Sequence, residues 1–196
     1  MENGRNLYKD LDQIFFTAEE LKDGVRKMGE RITRDYQGRK PVMVCILKGA
    51  SVFFSDLIRE IDLPVELEFM AVASYGATTK STGEVRLLKD LDRSIQGRDV
   101  ILVEDIVDSG KTLYYLKNLL ISRGASSMRI AALLDKPSRR TVPMTVDYSC
   151  FEVPDAFVVG YGLDYNQVYR NLPDIGVLSP RIYANQEDDG ETSTHC

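Results

Sequence analysis

The stretch VILVEDIVDSGKTL, Val100 to Leu113, decides the fold of this chain. Four apolar residues are followed by two adjacent carboxylates, Glu104 and Asp105, and then by a turn of small polar residues that leads into a helix. A continuous apolar run of strand length is typical of a parallel strand that is buried on both faces. The stretch therefore predicts a strand, a loop and a helix of a parallel sheet.

The flanking sequence repeats this alternation. Thr17 and Glu20 form a capping box before a helical pattern of apolar residues, and Pro41 introduces VMVCIL, a second apolar run of strand length. Further strands are predicted at 65–75, 128–134, 157–161 and 177–183, and helices at 51–60 and 112–123. The strand at 65–75 and GEVRLL suggest a hairpin with a long flexible tip. This order predicts an α/β fold, with a parallel twisted sheet flanked by helices on both faces.

Length, composition and charge limit the class of protein. The 196 residues suit one domain, which we place at 1–183, and the polar, acidic segment 184–196 is predicted to be disordered. The formal net charge of −5 argues against sequence-independent binding to nucleic acid. No segment suits a signal peptide or a membrane span, and the cysteines lack metal or disulfide spacing, so we expect a cytoplasmic protein with no membrane partner.

The acidic pair is placed where open parallel sheets bind ligands, outside the carboxyl ends of the strands. Burying Glu104 and Asp105 without partners would be costly. They need cations or hydroxyl donors, and a ribose supplies such donors.

The turn after the acidic pair is Asp108-Ser109-Gly110-Lys111-Thr112. Successive backbone N–H groups and the start of a helix make it a site for a phosphate. The hydroxyls of Ser109 and Thr112 add donors, while Gly110 allows the backbone to approach the oxygens closely. A simple helix cap is the alternative interpretation. A nucleotide-triphosphatase loop is excluded, since its first glycine is replaced here by an acid.

The combination of buried strand, acidic pair and small-residue turn resembles the phosphoribosyl-pyrophosphate motif of the type I phosphoribosyltransferases. EDIVDSGKTL is similar to their hypoxanthine-guanine branch, and the resemblance runs to about Ile182. It implies the family's fold, in which a small hood of terminal segments and a flexible hairpin lid are added to the sheet. In that family Glu104 and Asp105 would hold the ribose and a magnesium ion, and residues 109–112 the 5′-phosphate.

Two loops match the family before the motif. Lys48 and Gly49 resemble its pyrophosphate loop, whose amides are sometimes exposed by a cis peptide that does not precede proline. Ser74 and Tyr75 resemble the start of its mobile lid. An ordinary surface lysine and an ordinary exposed loop are the alternatives.

The segments after the motif also match. Lys136 ends a strand, and the resemblance implies that it reads the exocyclic oxygen of a 6-oxopurine; a solvated strand end is the alternative interpretation. Arg139 and Arg140 are interpreted as surface or interface charges.

PDAFVVGYGLDYNQVYR is similar to the family's base-binding segment. It implies that Phe157 stacks on the purine and that the backbone of Val158 contacts the base edge. Asp164 would ligate magnesium and Arg170 would reach the pyrophosphate.

The activity implied is magnesium-dependent transfer of the 5-phosphoribosyl group from phosphoribosyl pyrophosphate to hypoxanthine or guanine, giving IMP or GMP and pyrophosphate. Asp108 would be the catalytic residue and accept a proton from the five-membered ring of the purine. The single histidine, His195, lies in the predicted tail, so histidine catalysis is not expected. Relatives form dimers and tetramers, which implies a homo-oligomer.

Three alternatives stay open at this point. One is a transferase with xanthine-guanine preference, because the sequence does not rank the purines. A pyrimidine-responsive RNA-binding regulator shares the motif and the fold, although the acidic charge disfavours it. The third is a catalytically silent nucleotide-binding module.

Overall fold

The structure of the chain is a computed structural model that describes residues 6–74 and 85–184. Its strands are β1 (Leu11–Phe16), β2 (Val42–Leu47), β3 (Glu66–Ser74), β4 (Val85–Lys89), β5 (Asp99–Val107), β6 (Ser127–Asp135), β7 (Tyr148–Glu152), β8 (Val158–Val159) and β9 (Ile175–Leu178). Its helices are α1 (Ala18–Asp35), α2 (Ser51–Leu57), α3 (Lys111–Ser122) and α4 (Pro180–Tyr183). Short 3-10 helices occupy Asn6–Asp10, Ile58–Glu60 and Pro137–Arg139.

The larger of two sheets has six strands in the order β4-β3-β2-β5-β6-β7. Its neighbouring strands are parallel, except that β3 and β4 form an antiparallel pair. The predicted α/β fold is confirmed, as is the pairing of the two hairpin strands. The hairpin tip, including Tyr75 of the predicted lid, lies outside the described residues.

Helices cover both faces of this sheet, as the continuous apolar runs predict. Met43 and Cys45 of β2 pack into the buried cluster that contains α1 and α2, whereas Val42 and Val44 pack into the cluster that contains α3. Alternate residues of a strand point to opposite faces, so both sets must be apolar. The VMVCIL sequence is explained by this burial.

Helix α1 begins where the capping box predicts. The side-chain oxygen of Thr17 accepts from the backbone N–H of Glu20 at 3.4 Å, and the Glu20 carboxylate accepts from the N–H of Thr17 at 2.9 Å. Leu21, Val25 and Ile32, at helical spacing, are buried. The helix therefore packs one apolar face against the sheet.

The smaller sheet is built from both ends of the chain in the order β1-β9-β8. Two phenol groups fix it to the remaining loops: Tyr169 donates to Asp10 at 2.9 Å and Tyr8 donates to Asp174 at 2.6 Å. This sheet is the predicted hood. Within residues 6–74 and 85–184, no helix is long and apolar enough to cross a membrane.

Strand β5 differs from the sequence prediction at its end. It continues to Val107, four residues past the predicted end at Val103, because β6 runs beside it and pairs Glu104 with Ala132. The acidic pair therefore lies within the strand instead of after it. The expectation that Asp105 follows the strand end is wrong in this detail, although both acids still lie near the carboxyl edge of the sheet.

Candidate active site

A cavity of about 320 Å³ opens at the carboxyl edge of the larger sheet. Residues 46–49 after β2 and residues 104–113, from β5 to the start of α3, form most of its wall. Asp164 and Arg170, from the loop before β9, complete it. The residues predicted to bind phosphate, ribose and pyrophosphate thus surround one cavity, although they are up to about 120 positions apart in the chain.

The turn between β5 and α3 bends at Gly110, whose φ of +78° lies in the left-handed region that favours glycine. Helix α3 starts at the next residue, Lys111, and its first regular bond runs from the N–H of Tyr114 to the carbonyl of Gly110 at 2.8 Å. The N–H groups of a first helical turn have no acceptor within the helix. This turn therefore presents amide donors and the positive end of a helix dipole to the cavity.

The acidic pair carries raised pKa values. Desolvation by burial, followed by repulsion from Asp105, raises the pKa of Glu104 well above its usual range. Burial raises the pKa of Asp105 to about 6, against the opposing hydrogen bond from the N–H of Ile106 and the charge of Arg170. One oxygen of Glu104, Oε2, is buried without a hydrogen-bond partner. A hydroxyl donor or a cation would satisfy it.

The loop after β2 is pressed against the acidic pair. Its peptide bond before Lys48 is cis, as the family resemblance implies. A Cβ built on Gly49 would lie 1.7 Å from Oδ2 of Asp105, and one on Gly162 would lie 2.2 Å from the carbonyl oxygen of Gly49. The Nζ of Lys48 donates to the side chain of Gln167 at 3.3 Å. The close approaches at Gly49 and Gly162 therefore both require glycine.

Asp164 lines the first cavity and forms an ion pair with Arg170. Its Oδ1 lies 2.7 Å from Nη2 of Arg170, and its Oδ2 accepts from the backbone N–H of Gln167 at 2.8 Å. Nη1 of Arg170 also donates to the carbonyl of Gly162 at 2.7 Å. Arg170 therefore fixes the loop as well as balancing the charge of Asp164.

The carboxylates suit a magnesium ion that is shared with a substrate. In the part of the chain that the structure describes, no three acidic, histidine or cysteine side chains cluster closely enough to hold a metal alone. Magnesium usually takes one or two protein carboxylates, with waters and substrate phosphates as its other ligands. Glu104, Asp105 and Asp164 line the same cavity, and Glu104 has an unsatisfied oxygen. This donor set fits that requirement.

A second cavity of about 270 Å³ shares Asp105, Ile106, Asp108 and Asp164 with the first. Its wall contains the three residues that the resemblance assigns to the purine, which are Lys136, Phe157 and Val158.

Lys136 is buried beside the second cavity although it carries a charge. It is 6% exposed, and its Nζ donates to the carbonyl of Ala156 at 2.6 Å. Its own backbone N–H is held by the carbonyl of Val107. A buried ammonium group at this place is not a solvated strand end, so the alternative interpretation of Lys136 is wrong.

The ring of Phe157 is 43% exposed and is supported from the C-terminal segment. Tyr183 of α4 stacks on it with a centroid distance of 5.3 Å, and Tyr165 meets it edge-on at 5.7 Å. Tyr183 was not predicted as a site residue, since an aromatic residue near a predicted tail has no local signal for this role. The three rings form an aromatic platform, of which Phe157 lines the second cavity.

The interpretation of two arginines as surface or interface charges is wrong for Arg140, which is mostly buried, whereas Arg139 is 50% exposed and lies next to Asp108. The side chain of Arg140 is only 14% exposed and forms an ion pair with Asp135, while Nε of Arg139 lies 2.9 Å from Oδ1 of Asp108. The 3-10 helix Pro137–Arg139 turns the chain back beneath the phosphate turn. Proline directly after Lys136 was the available signal for such a tight turn.

The structure does not describe the side chains of Ser74 and Tyr75, the two residues predicted for the lid. Ser74 is described only as the last residue of β3, and Tyr75 lies outside the described residues, as does His195. The predicted lid and the predicted tail therefore stay predictions.

Comparison with known proteins agrees with this geometry. The family model of the phosphoribosyl transferase domain matches residues 14–166. The chain therefore belongs to the phosphoribosyltransferase family.

The relatives of the chain show which branch of the phosphoribosyltransferase family it resembles. The chain is 50% identical over 177 residues to the hypoxanthine-guanine phosphoribosyltransferase of Streptococcus thermophilus (strain CNRZ 1066), which covers 90% of this chain and 98% of the relative. It is 51% identical over 174 residues to that of Bacillus subtilis (strain 168), with 89% and 97% covered. The crystal structure of a hypoxanthine phosphoribosyltransferase from Staphylococcus aureus matches with a TM-score of 0.89 and 45% identity, covering 93% of this chain and 99% of that one. The resemblance and the fold predicted from sequence are confirmed.

Proposed function

We propose that this protein is a hypoxanthine-guanine phosphoribosyltransferase of purine salvage. It transfers the 5-phosphoribosyl group from phosphoribosyl pyrophosphate to hypoxanthine or guanine, with magnesium, and releases IMP or GMP and pyrophosphate. The observation that carries this proposal is the junction of two cavities at Asp108, one walled by the phosphate turn and the other by a buried lysine and an exposed aromatic ring.

In the reaction, the bond from the anomeric carbon to the pyrophosphate oxygen breaks, and a bond to an imidazole nitrogen of the purine forms. The amides of residues 109–112 hold the 5′-phosphate, and Glu104 and Asp105 orient the ribose hydroxyls. Lys48 and Arg170 balance the charge of the leaving pyrophosphate. No protein nucleophile is needed.

Asp108 accepts the proton that the purine's five-membered ring loses. Asp164, Glu104 and Asp105 are the residues that would hold magnesium. When bound, magnesium supplies positive charge that stabilises the departing pyrophosphate.

Lys136 gives the site its preference for an oxygen at purine position 6. An ammonium group only donates hydrogen bonds, so it matches the carbonyl of hypoxanthine or guanine and mismatches the amino group of adenine. The 6% exposure of Lys136 makes this discrimination stronger than it would be in water.

We expect Lys136→Ala to raise the KM for hypoxanthine about 10- to 100-fold, the loss typical of a hydrogen bond to a charged group. The KM for phosphoribosyl pyrophosphate should change little. Steady-state kinetics with each substrate varied in turn measures both. Lys27→Ala, on the exposed side of α1, is the control. Equal losses for the two substrates would argue against a base-reading role.

We expect Tyr183→Ala to weaken the binding of the purine by about 2- to 10-fold, because an aromatic pair of this kind contributes about 0.5–1.5 kcal/mol to holding a ring in place. Tyr183→Phe keeps the stacking partner of Phe157 and should behave like the wild type. Purine titrations by calorimetry compare the two variants. Identical affinities for the alanine and phenylalanine variants would show that the platform is not used.

A turnover assay tests the function itself. Pyrophosphate release is followed with hypoxanthine, guanine, xanthine and adenine in turn, with and without magnesium. We expect release with the first two purines and dependence on magnesium. Preference for xanthine would favour the rival transferase, and nucleotide binding without release would favour a silent binding module. A homo-oligomeric state, which the resemblance implies, and a cytoplasmic location, which the sequence composition favours, stay predictions.

A further inference from the structure

We propose that Arg139 is a positioning residue that aims the carboxylate of Asp108 at the purine, with Asp155 as its own anchor. The inference rests on the proposed function, in which Asp108 is the base, and goes beyond it by naming what orients that base.

The guanidinium of Arg139 joins two carboxylates from different loops. Its Nε lies 2.9 Å from Oδ1 of Asp108, in the turn between β5 and α3. Its Nη1 donates to both oxygens of Asp155, at 3.1 and 2.9 Å, in the loop between β7 and β8. Because the guanidinium is planar and rigid, its bonds to Asp155 limit where Nε can lie, and Nε meets Oδ1 of Asp108 as an ion pair without the alignment of a hydrogen bond.

The contact with Arg139 gives the two carboxylate oxygens of Asp108 different surroundings. Oδ1 is buried at the arginine, whereas the side chain as a whole is 47% exposed. The exposed part of the side chain therefore consists of its other atoms, which are Cβ, Cγ and Oδ2. Asp108 lines both cavities, so Oδ2 is the oxygen available to a proton on the purine.

The residues next to Arg139 hold the same turn from behind. The N–H of Thr141 donates to the carbonyl of Ser109 at 3.1 Å. A Cβ on Gly110 would lie 3.0 Å from Cδ of Arg140, which shows how closely that side chain packs against the turn. The segment 139–141 thus packs against the phosphate turn and supports it. Arg139 is the residue of this segment that contacts Asp108, the general base.

The same arginine also couples the base to the purine-reading loop. Asp155 precedes Ala156, whose carbonyl holds the ammonium of Lys136. The separation of Asp108 and Lys136 therefore depends in part on a chain of contacts that runs through Arg139. A general base must lie within hydrogen-bond reach of its proton, so this separation matters for catalysis.

The ion pairs of Arg139 are too exposed to stabilise the fold appreciably. Arg139 is 50% and Asp155 57% exposed, and pairs of that kind contribute little. Variants at Arg139 should consequently fold like the wild type, and their effect should appear in turnover.

The test compares kcat for the wild type, Arg139→Ala and Arg139→Lys at saturating substrates. We expect Arg139→Ala to lower kcat about 10- to 100-fold, the usual cost of misplacing a catalytic group, with the KM for phosphoribosyl pyrophosphate unchanged. Arg139→Lys should recover part of the loss. Arg26→Ala is the matched control, because Arg26 also bridges two carboxylates, Asp23 and Glu30, at similar exposure on α1.

A double-mutant cycle separates positioning from a structural effect. If Arg139 acts through Asp108, adding Arg139→Ala to Asp108→Asn should change kcat no further. Additive losses, or an Arg139→Ala variant with wild-type kcat, would overturn the inference while leaving the proposed function standing. A wild type that releases no pyrophosphate with any purine would overturn both.

Discussion

Asp108→Asn is expected to fold normally and to lose about 100- to 10,000-fold in kcat, the range that a general base contributes. Asparagine matches aspartate in size, and its amide oxygen can still lie against the guanidinium of Arg139, but a carboxamide does not take up the purine proton. Turnover of hypoxanthine at saturating concentrations measures the loss, and the thermal midpoint checks the fold. Asp92→Asn, at an exposed ion pair with Lys89, serves as the control.

A kcat close to that of the wild type would make the assignment of Asp108 as base wrong. A loss confined to the KM for phosphoribosyl pyrophosphate would instead make Asp108 part of the phosphate site. The two outcomes are told apart by varying each substrate separately.

Gly49→Ala should be the other severe substitution. The new Cβ would lie 1.7 Å from Oδ2 of Asp105, which is itself buried and lies near Arg170, so the carboxylate or the loop must move. Moving either displaces the acid that orients the ribose from the loop that receives the pyrophosphate. We expect kcat/KM for phosphoribosyl pyrophosphate to fall about 100-fold, and overpacking to destabilise the fold by about 1–3 kcal/mol.

Gly38→Ala is a suitable comparison for this variant. Nothing lies within 4 Å of a Cβ at Gly38, but its φ of +76° makes alanine unfavourable by about 1–2 kcal/mol. Both variants should therefore unfold at lower denaturant concentration, while Gly49→Ala alone should lose activity. Wild-type kinetics in Gly49→Ala would show that the contact with Asp105 does not matter for the reaction.

The sequence predicts the central strands well for a physical reason. β2, β5 and β6 are covered on both faces, so each needs an uninterrupted apolar run that stands out in the sequence. β1 (LDQIFF) and β7 (YSCFE) were not predicted, because they are edge strands with several exposed residues. Their positions depend on pairing partners that are distant in the sequence.

The misplaced end of β5 has a structural cause. Hydrophobic patterning ends a strand at the first charged residue, but here the ladder with β6 continues through Glu104 and Asp105. The burial of these two acids, with their raised pKa values, opposes folding when they are ionised and is retained where the substrate would bind.

The candidate site was predictable where a residue type is tied to a motif and not where a role depends on tertiary contact. The phosphate turn has its amides, its glycine and its helix start in five consecutive residues. Arg139 and Asp108 are 31 positions apart and meet only because the chain turns back after β6. Tyr183 reaches Phe157 only through the hood. Such contacts have no local signature.

The most direct measurement is the crystal structure of the protein with IMP. We expect the 5′-phosphate to accept hydrogen bonds from the backbone amides of residues 109–112, the ribose hydroxyls to face Glu104 and Asp105, and the purine to lie between Lys136 and Phe157. A phosphate bound away from this turn, with the acidic pair in contact with no part of the ribose, would contradict the proposed site.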